Sequence, residues 1–343
     1  MIMEKKGDKF YMIIDEEILK LKKQIEKNKK FFENNPELGY KEFKTSEYII
    51  DELKHMGYEV KKNIAKTGIV ATFVGKRKTP CVLFRCELDA LKMDKKGRMK
   101  HSCGHDAHMA GMLALARCIM NNKNSINGTI KLLFQPAEET IGGAYNMINE
   151  GVLINPVVDY VFALHVWSEL EKGTIAVTKG PVMAATDPFD IVIKGKGGHA
   201  AIPEKCNNPI YIASLIDIAI QSIVNNNINS FDNVVLGITS VNGGNSNNLI
   251  PEYIKMKGIC RTYNNELREF IRKRIKEIAV GIAHTMNADV VVKNKKGNYP
   301  AVVNSDEFCD LINDIAEKIV GKKNVVTNYR TTCADDFSYF LLK

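Results

Sequence analysis

Apolar residues recur at helical spacing over 16–32 and again over 45–56, and the segment NNPELG between them breaks the pattern. GIVATFVG (68–75) and CVLFRCELDA (81–90) then read as strands joined by the basic turn KRKTP. HMAGMLALARCIM (108–120) is apolar almost all round and predicts a buried helix. TIKLLFQPAEE (129–139) is a strand running into a polar end, AYNMINEGVL (144–153) a helix, and VVDYVFALHV (157–166) another buried strand. Strands alternating with helices predict an α/β fold with a mainly parallel sheet covered by helices.

The pattern changes after Asp187. FDIVIKGKGG alternates, PIYIASLIDIAIQSIV (209–224) is a long helix, and NVVLGITSVNGG alternates again. YIKMKGICRTY adds a strand and NELREFIRKRIKEIAVGIAHTM (265–286) a second long helix. Two helices over about four strands form an α+β layer that closes its own core. The helix SDEFCDLINDIAEKIV (305–320) then returns the chain to the first core. The expected division is one domain of 1–186 plus 297–343 and an inserted domain of 187–296.

Composition changes this picture little. A chain of 343 residues suits two cores, and no apolar run approaches the ~18 residues that span a membrane. The N-terminus, MIMEKKGDKFYMIIDEE, mixes charges and lacks the apolar stretch of a signal peptide, so a cytoplasmic location is expected. Eight cysteines without a CxxC pair point to reduced thiols rather than a disulfide framework or a zinc ribbon. Net charge is +8, yet only nine of the 48 basic residues are arginine and the lysines are scattered, which argues against a nucleic-acid surface.

Three of the strands end in polar clusters: CVLFRCELDA in Glu87 and Asp89, TIKLLFQPAEE in Glu138 and Glu139, YVFALHV in His165. In open α/β sheets ligands sit beyond the carboxyl ends of the strands. Carboxylates and imidazole at such places are costly unless they pair with something, and a metal answers that cost. The sharpest cluster is HSCGHDAH (101–108), which holds three of the seven histidines together with Cys103 and Asp106. Gly104 permits a bend that turns Cys103 and His105 towards one ion, and Asp106 is placed to cap the following helix. Adjacent carboxylates such as Glu138 and Glu139 divide labour well, one ligating metal and the other moving a proton. Alone, the pair would read as a solvated loop.

HSCGHDAHMAG, FQPAEET, LHV, KGKGGHAAIP and NLIP, in this order, resemble the aminoacylase and carboxypeptidase-like metallopeptidases. More narrowly they resemble the amidohydrolase branch that holds hippurate hydrolases, auxin-conjugate hydrolases and N-acetyldiaminopimelate deacetylases. The resemblance runs from about Asn35 to Phe340. It implies a catalytic α/β domain with an inserted α+β lid that mediates homodimerisation, and hydrolysis of N-acyl amino acids or small peptides. Cys103, His105, Glu139 and His165 would be metal ligands, Glu138 the general base, and His199 a contact to the tetrahedral intermediate. Asn248 and Arg261 would grip the substrate carboxylate, which suits a guanidinium fork, with Glu87 and Asp89 behind the ligands. The resemblance also implies two divalent ions, and one thiolate among imidazoles and carboxylates leaves Zn, Mn, Co and Ni all open. A dipeptidase or aminopeptidase, or a metal-depleted relative without activity, are the competing expectations.

The chain departs from the family pattern in several places. Glu87 stands where the family has Asp, Glu33 where it has His, and the loop LKMDKKGRMK (91–100) is short, which is expected to reshape substrate access. The family's last ligand is a histidine beyond the segment here reading CADDFSYF, whereas no histidine follows His284. An incomplete ligand set, and a longer complete protein, are the corresponding expectations.

Overall fold

The computed structural model describes residues 2–93, 96–295 and 297–343, with side chains from residue 16 onward. The chain divides into two compact units, 1–174 with 316–324 and 339–343, and 175–315 with 325–338. The expected inserted segment 187–296 lies wholly within the second unit, which extends further on both sides. Short strand pairs tie the flanks in: Gly180–Met183 pairs with Val302–Asn304, and Ile175–Ala176 with Val325–Val326.

In the first unit, α1 (Ile2–Asn34), α2 (Phe43–His55) and α3 (His105–Asn121) join a five-stranded sheet. Its strands are β1 (Glu59–Ile64), β2 (Gly68–Val74), β3 (Cys81–Glu87), β4 (Thr129–Gln135) and β5 (Tyr160–Ala163), in the order β1-β2-β4-β3-β5. The sheet is mixed rather than mainly parallel. β4, β3 and β5 run parallel, while β1 pairs with β2, and β2 with β4, antiparallel. The physical reason is the tight connection through Ala65 and Lys66, both at positive φ, which admits a hairpin and leaves no room for a parallel crossover. The sequence EVKKNI hides β1, because only Val60 and Ile64 are even half-buried and no apolar alternation results.

β4 is central and six of its seven residues are buried, among them Lys131, whose Nζ donates to the carbonyls of Val152, Ile154 and Pro156. The segment 157–166 is a different case. Only Tyr160–Ala163 is strand, it pairs with β3 alone at the sheet edge, and none of its residues is fully buried. Phe32, Ile49, Leu53, Leu88, Met109, Leu113 and Phe134 make the core between helices and sheet. Each such side chain contributes about 1.5–3 kcal/mol of burial.

The second unit carries an antiparallel four-stranded sheet made of β6 (Ala185–Lys194), β8 (Val234–Asn242), β10 (Tyr253–Thr262) and β11 (Asp289–Asn294). Its order is β8-β10-β6-β11, and a separate two-residue ribbon joins β7 (Gly198–His199) to β9 (Leu249–Ile250). The inward residues of β10, Ile254, Met256 and Cys260, meet Ile212, Ile216, Ile220, Ile271 and Ile275 of α4 (Pro209–Asn227) and α5 (Asn265–Thr285). Both helices begin at an asparagine whose side chain accepts backbone N–H groups, Asn208 and Asn264. Among the described residues no helix is long and apolar enough to cross a membrane.

Candidate metal centre

Strand ends and one helix start build the site in the first unit. Cys103, His105 and His165 bring ligand atoms within 4.8 Å of one another, and so do His105, Glu138 and Glu139. His105 belongs to both groups and is almost wholly buried. Gly104, at φ 85°, is the N-cap of α3, and a Cβ there would stand 2.3 Å from Val166 Cγ2. Glycine is therefore required twice over, for the left-handed turn and for the close approach. Asp106 is not the cap. It sits in the first turn of α3, where its charge suits the helix dipole, and pairs with Lys29 Nζ at 3.0 Å.

The histidine tautomers follow from their partners. A carbonyl oxygen only accepts, so the contact of His105 Nδ1 with the Asp89 carbonyl at 2.8 Å places the proton on Nδ1 and the lone pair on Nε2. His165 Nδ1 meets the Val166 carbonyl at 2.6 Å with the same consequence. A ring anchored through Nδ1 and presenting Nε2 is the arrangement of a ligating histidine.

Asp89, fully buried, accepts the Glu138 N–H on Oδ1 and the Glu139 N–H on Oδ2, each at 3.0 Å. It thereby fixes both following carboxylates. The turn before them is strained, with Ala137 at φ 60° and its N–H held by Glu42 Oε1 at 2.9 Å. Burial, with the nearby Glu42 and Glu139 carboxylates, pushes Asp89 well above the usual carboxylate range against those two N–H groups. Glu87 differs. Burial pushes it up, but Arg85 and the His108 hydrogen bond outweigh burial and hold it well below that range.

Whether a divalent cation fits is decided by two atoms. His105 Nε2 and Glu139 Oε1 are buried, have no hydrogen-bond partner, and face each other at 3.9 Å. Two buried acceptors left in that state cost about 1–3 kcal/mol each. A cation between them, with the Cys103 sulfur and the His165 imidazole nearby, removes that cost, so the donor set fits a metal.

The remaining candidates lie in the second unit. His199 and Asn248 are brought together on the β7–β9 ribbon, where the Ala200 N–H donates to the Asn248 carbonyl at 2.9 Å. His199 Nδ1 accepts the Ala201 N–H at 3.1 Å, which leaves Nε2–H as the donor of the neutral ring. Arg261 stands apart from that ribbon, near the end of β10, and donates from Nη1 to the Thr332 carbonyl at 2.5 Å. Of the loop 91–100, residues 94 and 95 lie outside the described residues.

Sequence reasoning missed Glu42, which clamps Ala137 and receives Thr67 Oγ1 at 2.6 Å. It also missed His108, which is hydrogen-bonded to Glu87. HSCGHDAH displays His108, but nothing in the spacing separates a ligand from a histidine that serves its neighbours.

The sequence pattern of Peptidase family M20/M25/M40 matches residues 83–343. A hippurate hydrolase of Campylobacter jejuni is 35% identical over 334 residues, spanning 94% of this chain and 86% of that protein. An N-acetyl-L-cysteine deacetylase of Bacillus subtilis is 34% identical, over 94% of this chain and 78% of its own. A crystal structure from Bacillus subtilis, described as a dinuclear metal-binding peptidase of the M20 family, superposes with a TM-score of 0.79 at 28% identity, covering 93% of this chain and 85% of that one. With this match over most of its length, and a donor set around the buried His105 that suits divalent metal, the chain belongs to Peptidase family M20/M25/M40 and is a hydrolase of amide bonds.

Proposed function

We propose that the protein removes the acyl group from N-acyl amino acids, with acetyl and aroyl amino acids as the substrate class and Cys103, His105, Glu139 and His165 as ligands of two divalent ions. The observation that carries this reading is the pair of buried, unpartnered acceptors, His105 Nε2 and Glu139 Oε1, inside a cluster rich in carboxylates. The substrate class is supported by the hippurate hydrolase and deacetylase relatives. Divalent ions would supply Lewis acidity to the scissile carbonyl and lower the pKa of a water towards about 7.

The chain's own residues do the rest. Glu138 accepts the proton of the attacking water on its carboxylate and delivers it to the amine nitrogen as the C–N bond breaks. Asp89 keeps Glu138 and Glu139 in place through their backbone N–H groups. His199, Asn248 and Arg261 are carried as substrate contacts on their motifs. For His199 the Nε2–H tautomer supplies the donor that a developing oxyanion needs. Segment 187–296 is carried as the lid and homodimer interface, and the cytoplasm as the location, in keeping with eight cysteines of which none forms a disulfide.

The test is a panel of acetyl, benzoyl and indole-acetyl amino acids beside simple dipeptides, with release of the free amine as readout. Preference for the acyl amino acids supports the proposal. Turnover of dipeptides alone moves the protein to the peptidase reading, and no turnover with any divalent ion refutes both.

A further inference from the structure

We infer that His108, oriented by Glu87, is a positioning residue that sets the His165 ring through the backbone of Val166. This rests on the reading of His165 as a metal ligand.

Val166 is where three contacts meet. Its N–H donates to His108 Nε2 at 2.9 Å. Its carbonyl receives the His165 Nδ1–H at 2.6 Å. Its Cγ2 fills the space beside Gly104, the residue between Cys103 and His105. One residue thus orients the His165 ring and abuts the backbone between two other ligands.

The state of His108 follows. A backbone N–H only donates, so Nε2 is the bare nitrogen and Nδ1 carries the proton, which it donates to Glu87 Oε2 at 2.7 Å. The other Glu87 oxygen is paired with Arg85, whose Nε is held by Gln135 Oε1 at 2.9 Å. The buried series Gln135, Arg85, Glu87, His108 therefore ends on the Val166 peptide. His108, Glu87 and His105 have ligand atoms close enough to surround an ion. The His108 lone pair, however, is already directed at the Val166 N–H, so its role is orientation and not ligation.

Packing alone does not hold the segment that needs orienting. β5 ends at Ala163, and beyond it Leu164 is 72% and Val166 44% exposed. A segment with so little burial opens easily, and its geometry depends on its hydrogen bonds.

Two substitutions separate this role from a structural one. His108→Asn keeps an amide N–H near the Nδ1 position for Glu87 and removes the acceptor for Val166. His108→Gln keeps an acceptor near the Nε2 position and gives up the bond to Glu87. The readouts are Co(II) affinity and the visible spectrum of the Co(II)-loaded protein, in which a thiolate charge-transfer band reports Cys103 and the d–d bands report the other ligands. His108→Asn is expected to weaken Co(II) binding about 10–100-fold and alter the d–d bands with the thiolate band retained. His108→Gln, which loses the hold of Glu87 but keeps the acceptor, is expected to weaken Co(II) binding less than His108→Asn and to keep d–d bands nearer those of the unsubstituted chain. Thermal melting accompanies both, because a purely structural role lowers both alike.

Unchanged binding and spectrum in His108→Asn, or equal loss in the two variants, overturns the inference while leaving the ligand assignment intact. Failure of the unsubstituted chain to bind Co(II) overturns the assignment, and the inference with it. Should His108→Asn not fold, His108→Gln carries the test alone, and a loss of Co(II) affinity of about 10–100-fold with altered d–d bands there, despite the retained acceptor, overturns the inference.

Discussion

In the second unit, Asp187 is buried on β6 and accepts Arg268 Nε at 2.5 Å, Arg268 Nη2 at 3.0 Å and a further bond from Arg272. Arg272 in turn meets Glu269 at 2.5 Å. In the first unit, Glu139 Oε1 and His105 Nε2 face each other at 3.9 Å without a donor between them. Both clusters place ionisable groups out of water. The first answers each carboxylate with guanidinium and leaves a single N–H, Arg272 Nε, over. The second gathers acceptors and supplies no cation of its own at that point. Charge that satisfies itself reads as structure, and charge that converges on a shared gap reads as a binding site.

Substituting the working carboxylate sharpens this contrast most. Glu138→Gln is expected to lower kcat by about 10²–10⁴-fold, with metal content by elemental analysis unchanged. Glu139→Gln should lower metal content as well. Equal metal loss in both variants would break the division of roles between the two carboxylates.

The opposite behaviour is expected of the self-satisfied cluster. Asp187→Ala leaves two arginines without their buried partner and should cost about 3–5 kcal/mol by denaturant unfolding. Metal affinity of the folded protein should not change. A fall in metal affinity with little loss of stability would mean that Asp187 serves the site and not its own unit.

Metal addition gives the next smaller effect. At about 100 times Kd, Zn or Co should stabilise the protein by about 2.7 kcal/mol, read as a rise in Tm. Cys103→Ser should reduce that rise and Asp187→Ala should not.

How much of this was legible beforehand depended on whether the signal was local. HSCGHDAH and the carboxylates after β3 and β4 stand out because unusual residues adjoin apolar runs. The α+β layer stood out through two long periodic helices, and their asparagine caps are visible in the sequence as well. β1 escaped because its residues are mostly exposed, and 157–166 read as buried although its strand lies at the sheet edge. Glu42 and His108 escaped for another reason. Their partners, Ala137 and Val166, are 95 and 58 residues away and are backbone groups, which carry no side-chain identity to read. The position of Glu87 between Arg85 and His108 likewise exists only once β3 faces α3.

Glu42 gives the smallest predicted effect. Burial raises its pKa, against its hydrogen bonds from Thr67 and the Ala137 N–H. The folded state therefore holds this proton to higher pH than the unfolded chain does. Its contribution to stability is full below the ordinary carboxylate range and is lost as pH rises through the folded value. Glu42→Gln should flatten that part of the stability–pH curve measured by urea unfolding. A slope unchanged by the substitution would assign it to another group.

The most direct test of the central claim is amine release from an N-acetyl amino acid by protein stripped of metal with a chelator and then titrated with Zn, Mn, Co or Ni. The account predicts that the stripped protein is inert and that turnover returns in step with bound ion for at least one of the four. Undiminished turnover in the stripped protein, or none with any of the four ions bound, would contradict it.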